Sequence, residues 1–286
     1  MRQIHMPKIS VVIATYNRPK SLGRLLSILE NQVRLNMKSL EVVVVDDGSP
    51  VELKDFPDYH FSFKYIYRPR HLADTSRVYS SRNIAVSCST GEYVLQVDDD
   101  VTFHERHVSE LQYHATFLEF LAPNLHWCMV PRVSNNKDRE TSDGMGDDRA
   151  GWHRGKDGLW RDGKIDIVPV AWPSTSSCMM FMPKKTWDLV GGYDEEFDGC
   201  MGAADQELSL RIAKAGGVLM IGPYFAHIED EETDSWRDRM IDRRGPSRER
   251  NEDLMRRKHP DMDDWSQFDH WAEVFDVVGG AHVVQR

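Results

Sequence analysis

The stretch Glu41-Val-Val-Val-Val-Asp-Asp-Gly-Ser-Pro50 decides the fold class, because a β-branched run ends abruptly in residues that favour turns. Such a run is typical of a strand that is buried on both faces. Ile9-Ser-Val-Val-Ile-Ala14 is a second run of this kind, and between the two runs the leucines from Leu22 to Leu29 recur at the spacing of one helical face. The order strand, helix, strand predicts a parallel sheet that is covered by helices on both faces.

The same alternation continues along the chain. Further strands are predicted at Phe61–Tyr67, Glu92–Val97, Ile165–Ala171, Ser177–Met182 and Val218–Ile221, and further helices at Ser76–Ser89 and Ala204–Ala215. Residues 134–163 are polar and lack periodicity, and a loop of this length in a compact domain is usually functional or disordered. After His227 the chain is strongly charged, with short helical segments predicted around Ser235–Arg243 and Asp263–Val278.

The composition argues against several classes of protein. The 286 residues include 36 Lys and Arg against 46 Asp and Glu, which gives a formal net charge of −10. This balance disfavours unaided binding to a nucleic-acid backbone, but not binding of a small phosphorylated ligand through a few arginines or a metal. No apolar stretch approaches the ~20 residues of a membrane-spanning helix, and no secretory signal is visible. The four cysteines form no Cys-x-x-Cys pair, which predicts reduced thiols in a cytoplasmic protein.

Two acidic clusters follow predicted strands directly, at Asp46-Asp47 and at Asp98-Asp99-Asp100. Ligands of parallel sheets bind at the carboxyl ends of the strands. Three adjacent carboxylates repel one another unless a cation or positive side chains lie among them. Because Asp98 and Asp100 are two residues apart, they face the same way in an extended segment, as a site for Mg²⁺ or Mn²⁺ requires. The alternatives are a solvated acidic turn at Asp98–Asp100 and plain turn chemistry at Asp46-Asp47.

Six motifs in a fixed order carry a resemblance to a known family. They are Val11-Val-Ile-Ala-Thr-Tyr-Asn-Arg-Pro19, Val42-Val-Val-Val-Asp-Asp-Gly-Ser49, Ser81-Arg-Asn-Ile-Ala85 with Thr90-Gly-Glu-Tyr93, Val97-Asp-Asp-Asp100, Tyr193-Asp-Glu-Glu-Phe197, and Gly202-Ala-Ala-Asp-Gln-Glu-Leu-Ser-Leu-Arg211. Over residues 8–228 the chain resembles the family 2 nucleotide-sugar glycosyltransferases. The resemblance implies the GT-A fold, a Rossmann-like α/β arrangement with a mostly parallel sheet flanked by helices.

The resemblance also implies a role for particular residues. The nucleotide-sugar site would comprise Ala14, Thr15, Tyr16, Asp47, Arg77, Arg82, Asp98 and Asp99. Asp98 and Asp100 would hold Mn²⁺ or Mg²⁺ as a DxD pair, with His227 as a third ligand, although a histidine packed under a strand end is an equal alternative. Asp205 would be the catalytic base, and the Ala204 before it departs from the family's usual Glu. For Asp205 the alternative is an acid in the first turn of a helix, which is compatible with catalysis.

The implied reaction is the metal-dependent transfer of a sugar, from a UDP-sugar by preference, to a hydroxyl of a glycan or another acceptor. We expect single displacement with inversion. Residues 134–163 would form a flap over the donor, and Trp152, Trp160 and Glu207 would face the acceptor. Trp187 is expected in the core.

The sequence predicts a domain over residues 1–228, with a donor half to about residue 100, followed by a charged, partly helical extension over 229–286. A cytoplasmic location, or one at the periphery of a membrane, fits the composition. The alternatives are a retaining GT-A enzyme, a sugar nucleotidyltransferase, a nucleic-acid-modifying transferase and a sugar-nucleotide-binding or glycan-binding module without activity. The oligomeric state stays open.

Overall fold

The computed structural model describes residues 6–69, 76–135, 168–169, 178–200, 202–228 and 250–261. The strands in these residues are β1 (Ile9–Thr15), β2 (Leu40–Asp46), β3 (Ser62–Tyr67), β4 (Tyr93–Asp98), β5 (Val101–Phe103), β6 (Trp127–Asn135), β7 (Val168–Pro169), β8 (Met179–Pro183) and β9 (Val218–Ile228). The helices are α1 (Pro19–Glu30), α2 (Val78–Ser87), α3 (His107–Leu121), α4 (Lys184–Val190), α5 (Ala204–Lys214) and α6 (250–258), with 3-10 turns at Met37–Ser39 and Glu195–Phe197.

The strands of the first half form a parallel sheet in the order β3-β2-β1-β4, which confirms the predicted fold class. β1 is the central strand, and its register places Thr15 beside Asp46 and Ala14 beside Asp98. The carboxyl ends of β1, β2 and β4 therefore meet at one edge of the sheet. Both acidic clusters lie at that edge, as the sequence predicts.

The second half of the sheet is mixed. β8 runs antiparallel to both β4 and β6, while β9 is parallel to β6 and antiparallel to β5 and β7. β9 begins at Val218, as predicted, and continues through Gly222 and Pro223 to Ile228. A shift of register between Val130 and Arg132 accommodates that part of β9, since proline in a sheet is confined to edges and irregularities.

Hydrophobic residues bury both faces of the sheet. Leucines of α1 and α3, among them Leu22 and Leu111, pack with Ile13 of β1 on one face. On the other face Val12 packs with residues of α2, α4, α5 and α6, including Trp187, which confirms its predicted place in the core. The alternation of β1 side chains between the two clusters is the two-residue period of a strand.

A buried carboxylate connects three strands at the opposite edge of the sheet. Glu41 accepts hydrogen bonds from Ser10 Oγ at 2.5 Å, Thr90 N at 2.7 Å and Lys64 Nζ at 2.9 Å. Burial raises the pKa of Glu41, but the hydrogen bonds from Ser10, Thr90 and Lys64 outweigh burial and lower this pKa to about 2. The ionised side chain therefore stabilises the contact between β1, β2 and the turn before β4.

Several predicted features lie outside the described residues. They are residues 136–163 of the expected flap, with Trp152 and Trp160, and both predicted tail helices. No helix in the described part of the chain is long and apolar enough to span a bilayer.

Candidate functional site

Two loops at the carboxyl edge of the sheet are tied together by Asp46 and Ser49. Asp46 Oδ1 accepts hydrogen bonds from the backbone N of Ser49 at 2.8 Å and from its hydroxyl at 2.7 Å. The Ser49 hydroxyl oxygen in turn accepts from Asn17 N at 2.7 Å, and Asp47 N donates to Thr15 O at 2.8 Å. The loops after β1 and β2 therefore have a fixed relative position. Asp46 and Ser49 both stand in the quoted motif, but the motif does not indicate that their side chains join the two loops.

Asp47 and Arg77, both predicted to belong to the nucleotide-sugar site, bind each other. Arg77 donates to Asp47 from Nε and from its backbone N, each at 2.8 Å. Arg77 also donates to the carbonyl of Arg68 at 3.0 Å, so its guanidinium is held from two sides. Tyr16 directly follows β1 and has an exposed side chain. A charged pair and an exposed aromatic ring thus belong to the loops at the carboxyl ends of the sheet.

The middle residue of the acidic triplet points into the protein. Asp99 accepts from Thr15 Oγ1 at 2.7 Å and from Arg18 Nη1 at 2.9 Å. Burial raises the pKa of Asp99 to about 6, although Arg18 and Thr15 counter this effect. The same Arg18 nitrogen lies 2.9 Å from Asp100 Oδ2. These contacts favour a structural role for Asp99. They also identify Arg18, which the sequence analysis left without a role, as one of the positive groups that the triplet requires.

Arg82 connects the acidic triplet to the predicted base. Its guanidinium is buried, donates from Nη2 to Asp98 Oδ1, and places Nη1 3.7 Å from Asp205 Oδ1. Burial raises the pKa of Asp98, the attraction of Arg82 opposes this, and the nearby charge of Asp205 adds to it. A single buried cation thus lies between two carboxylates that are far apart in the sequence.

Tyr193 completes the surroundings of Asp205. Its hydroxyl lies 3.2 Å from Asp205 Oδ1 and 2.5 Å from Gln96 Oε1, and its ring lies 5.4 Å from the Arg82 guanidinium. Burial and the neighbouring Asp205 raise the pKa of Tyr193 well above its ordinary value, which keeps the hydroxyl protonated as a donor. Asp205 Oδ1 therefore lies beside a neutral hydroxyl and a guanidinium cation.

A constrained backbone brings Asp205 to this position. Ala203, immediately before α5, has a left-handed conformation with φ 62°, which costs about 1–2 kcal/mol for a residue other than glycine. Asp205 lies in the first turn of α5, where the helix dipole stabilises a carboxylate. Ala204 is 1% exposed and packs in the core, so the position where the family usually has Glu contributes no polar group to the cleft.

The acidic residues fit a hard divalent cation. Asp98 and Asp100 are more exposed than Asp99, and each would offer carboxylate oxygen, the ligand that Mg²⁺ and Mn²⁺ prefer. Burial and the charge of Asp98 raise the pKa of Asp100 despite Arg18, and a cation bound beside it would favour the ionised form. Within the described ranges no three His, Cys, Asp or Glu side chains form a metal site by themselves. The donor set therefore fits a cation whose remaining ligands come from substrate phosphates and water.

The remaining predicted site residues are the third metal ligand, His227, and the acceptor residues Glu207, Trp152 and Trp160. The backbone of His227 is paired with that of Thr102, two residues after Asp100; its side chain lies outside the described part. Glu207 is buried, and it binds Arg211 through two contacts of 2.7 Å and His259 Nε2 at 3.1 Å. These partners favour a structural role for Glu207 over the acceptor contact that the resemblance implies. Trp152 and Trp160 are not among the described residues.

Comparison with known proteins finds sequence relatives for the first half of the chain. The model of "Glycosyl transferase family 2" matches residues 10–165. The glycosyltransferase GlyG of Streptococcus pneumoniae serotype 4 is 27% identical over 103 residues, which is 36% of this chain and 33% of that protein. The match thus spans about a third of the length of this curated relative.

Solved structures resemble the chain over a larger part of its length. Residues 1–349 of TarS from S. aureus, in complex with UDP-GlcNAc, superpose with a TM-score of 0.54 at 17% identity, covering 79% of this chain and 60% of that one. The mannosyltransferase PcManGT from Pyrobaculum calidifontis, in complex with GDP-Man and Mn²⁺, gives 0.53 at 18% identity, covering 84% and 62%. These likenesses show that the fold is GT-A.

Proposed function

Because the chain belongs to glycosyl transferase family 2, we propose that it transfers a sugar from a nucleotide-diphosphate sugar, a UDP-sugar by preference, to an acceptor hydroxyl. The observation that carries the proposal is the convergence of Asp98, Asp100, Arg82 and Asp205 at one edge of the sheet. The solved structures of TarS and PcManGT, which share the fold, hold UDP-GlcNAc and GDP-Man. Both ligands are nucleotide-diphosphate sugars.

The nucleoside of the donor would bind at the carboxyl ends of β1 and β2. Ala14, Thr15 and Tyr16 would form one wall, and the pair Asp47 and Arg77 would offer an acceptor and donors to the base. Support for this assignment comes from the exposed ring of Tyr16 and from the fixed position of the two loops. Because the carbonyl of Arg68 also holds Arg77, the charged pair costs little to order when the base binds.

The diphosphate would lie over Asp98 and Asp100, which would hold a divalent cation, with His227 as the proposed third protein ligand. When bound, the cation neutralises the negative charge that develops on the departing nucleoside diphosphate. Arg82 and Arg18 orient the two carboxylates, and their charges oppose the effect of burial on the pKa values of Asp98 and Asp100. Mn²⁺ and Mg²⁺ are both suited to these oxygen donors.

Asp205 would act as the general base. The acceptor oxygen forms a bond to the anomeric carbon as the bond from that carbon to the phosphate oxygen breaks, and the hydroxyl proton moves to the Asp205 carboxylate. Tyr193 and Arg82 orient the carboxylate and stabilise its charge before transfer. With one carboxylate as base and attack from the face opposite the leaving group, the product has inverted configuration.

A thermal-shift screen of nucleotide sugars with and without Mn²⁺ tests the proposal. A donor at about 100 times its Kd stabilises the folded state by about 2.7 kcal/mol, or roughly 5 °C in Tm for a chain of this size. We expect such a shift for one donor, and only with the metal. NMR of the product anomer then distinguishes inversion from retention. Stabilisation by no nucleotide sugar would refute the proposal, and binding without turnover would favour the non-catalytic alternative.

A further inference from the structure

α6 (250–258) and the residues directly after it pack on the acceptor half of the molecule. Met255 and Leu254 are buried in the same core cluster as Ala203 and Leu208, at the start of α5. Lys258 Nζ lies 2.6 Å from Asp194 Oδ2, which is a second connection to this half. A segment from the charged C-terminal extension is thus built into the core beside the predicted base.

The segment between Asp194 and Asp205 connects the two halves of the site. Asp198 accepts a hydrogen bond from Tyr79 N at 2.9 Å, at the start of α2, the helix that carries Arg82. At its other end the segment enters α5 through Ala203, whose side chain makes no capping hydrogen bond. The position of Asp205 therefore depends on contacts that other elements make to residues 197–200 and 202–203, which we call the Asp205 loop.

Asn251 makes such contacts to both ends of the Asp205 loop. Its side chain is fully buried, and Nδ2 donates to the carbonyls of Gly202 at 3.0 Å and Phe197 at 3.3 Å. The neighbouring Arg250 donates to Asp198 O at 3.2 Å and to Asn251 Oδ1 at 3.3 Å, which orients the amide. The amide is the right group for this position, because only a side chain with two N–H donors satisfies both carbonyls.

We propose that Asn251 is a positioning residue for Asp205, holding the Asp205 loop so that the carboxylate stays beside Arg82 and Tyr193. The role assigned to Asp205 rests on the proposed function. Catalytic groups must be held within a fraction of an ångström, and displacement by about 1 Å can cost roughly 100-fold in rate. Residues 250–261 of the C-terminal extension would then help to position the base in the acceptor half.

The test uses the full chain with Asn251→Asp and Asn251→Ala. Asn251→Asp keeps the size of the side chain and the contact to Arg250 but removes both N–H donors. We expect kcat to fall about 10- to 100-fold in both variants, per folded molecule, while KM for the donor stays within about threefold of the wild type. A merely structural role would leave kcat per folded molecule unchanged. Circular dichroism and thermal unfolding give the folded fraction.

Lys214→Ala is the matched control, because Lys214 contacts Asp261 at 2.8 Å at the far end of α5, away from Asp205. We expect wild-type kcat for this variant. A kcat within twofold of the wild type in both Asn251 variants would overturn the inference.

A second measurement is independent of turnover. Hydrogen exchange of the amide of Glu207, which donates to Ala203 O at 2.8 Å, should accelerate at least tenfold in Asn251→Ala and stay unchanged in Lys214→Ala. Unchanged exchange in Asn251→Ala would overturn the inference even if the chain proved inactive. Absence of activity in the wild type would instead refute the proposed function.

Discussion

Replacing Arg82 by Met removes the buried cation that contacts both Asp98 and Asp205, and keeps an apolar stem of similar length. At 3.7 Å, the separation of Arg82 Nη1 and Asp205 Oδ1, two unit charges attract with about 4 kcal/mol at an effective dielectric constant of about 20. Breaking a buried ion pair by removing one partner usually costs about 3–5 kcal/mol. Because the side chain of Asp98 is 31% exposed, we expect Arg82→Met to lower the free energy of unfolding by an amount near the lower end of that range.

Urea denaturation at pH 7 measures this loss, and a thermal scan should show Tm lowered by roughly 5–6 °C. In Arg82→Met the charges of Asp98 and Asp205 have lost the cation between them, and Asp98→Asn removes one of these charges. In that background Asp98→Asn should therefore raise the free energy of unfolding by at least about 1 kcal/mol, whereas in the wild type it should not raise it. Lys54→Met is the control, because Lys54 belongs to an exposed ion pair with Glu52 and should change stability by less than about 0.5 kcal/mol. A loss below about 1 kcal/mol for Arg82→Met, or equal effects of Asp98→Asn in both backgrounds, would refute the reasoning.

Two further predictions concern Glu41 and Asp100. The folded-state pKa of Glu41 is about 2, lowered from 4.5, so its stabilisation of about 3 kcal/mol is complete above pH 4.5 and is lost as the pH falls from 4.5 to 2. Urea midpoints across this range should therefore show the stability difference between the wild type and Glu41→Gln shrinking by about 3 kcal/mol; a constant difference would contradict the assignment. For Asp100→Asn, we expect the Mn²⁺ concentration that gives half of the donor-induced stabilisation to rise at least tenfold in a thermal-shift titration. An unchanged Mn²⁺ concentration would count against the metal site.

The parallel half of the fold is predictable because its signals are local. The valine and isoleucine runs of β1 and β2 and the leucine spacing of α1 match the observed elements to within a residue or two at most ends. α3 escapes prediction because its apolar residues surround the helix. Leu111 is buried, whereas Phe117 and Phe120 are exposed, so no single face stands out. β6 contains Pro131 and a register shift, which hide its strand pattern.

The sequence predicts where the carboxylates of the site lie, but not which side chains bind them. Strand ends locate Asp47 and Asp98 at one edge of the sheet, because parallel strands end together. The need of three carboxylates for positive partners is also evident from the sequence, but which arginines supply them depends on tertiary packing. The sequence therefore does not indicate that Arg18 binds Asp99 or that Arg82 binds Asp98. The contact of Asn251 with the Asp205 loop is equally invisible in the sequence, because buried amide hydrogen bonds leave no periodic signal.

The most direct test of the central claim is the rate of nucleoside diphosphate release from the stabilising donor, in the presence of Mn²⁺ and acceptor, for the wild type and Asp205→Asn. The variant keeps the shape of the side chain and loses the base. We predict metal-dependent release by the wild type and a rate about 10²–10⁴-fold lower in Asp205→Asn, with donor-induced stabilisation unchanged. Equal rates for the two proteins would contradict the assignment of Asp205, and no release by the wild type from any nucleotide sugar would contradict the proposed activity.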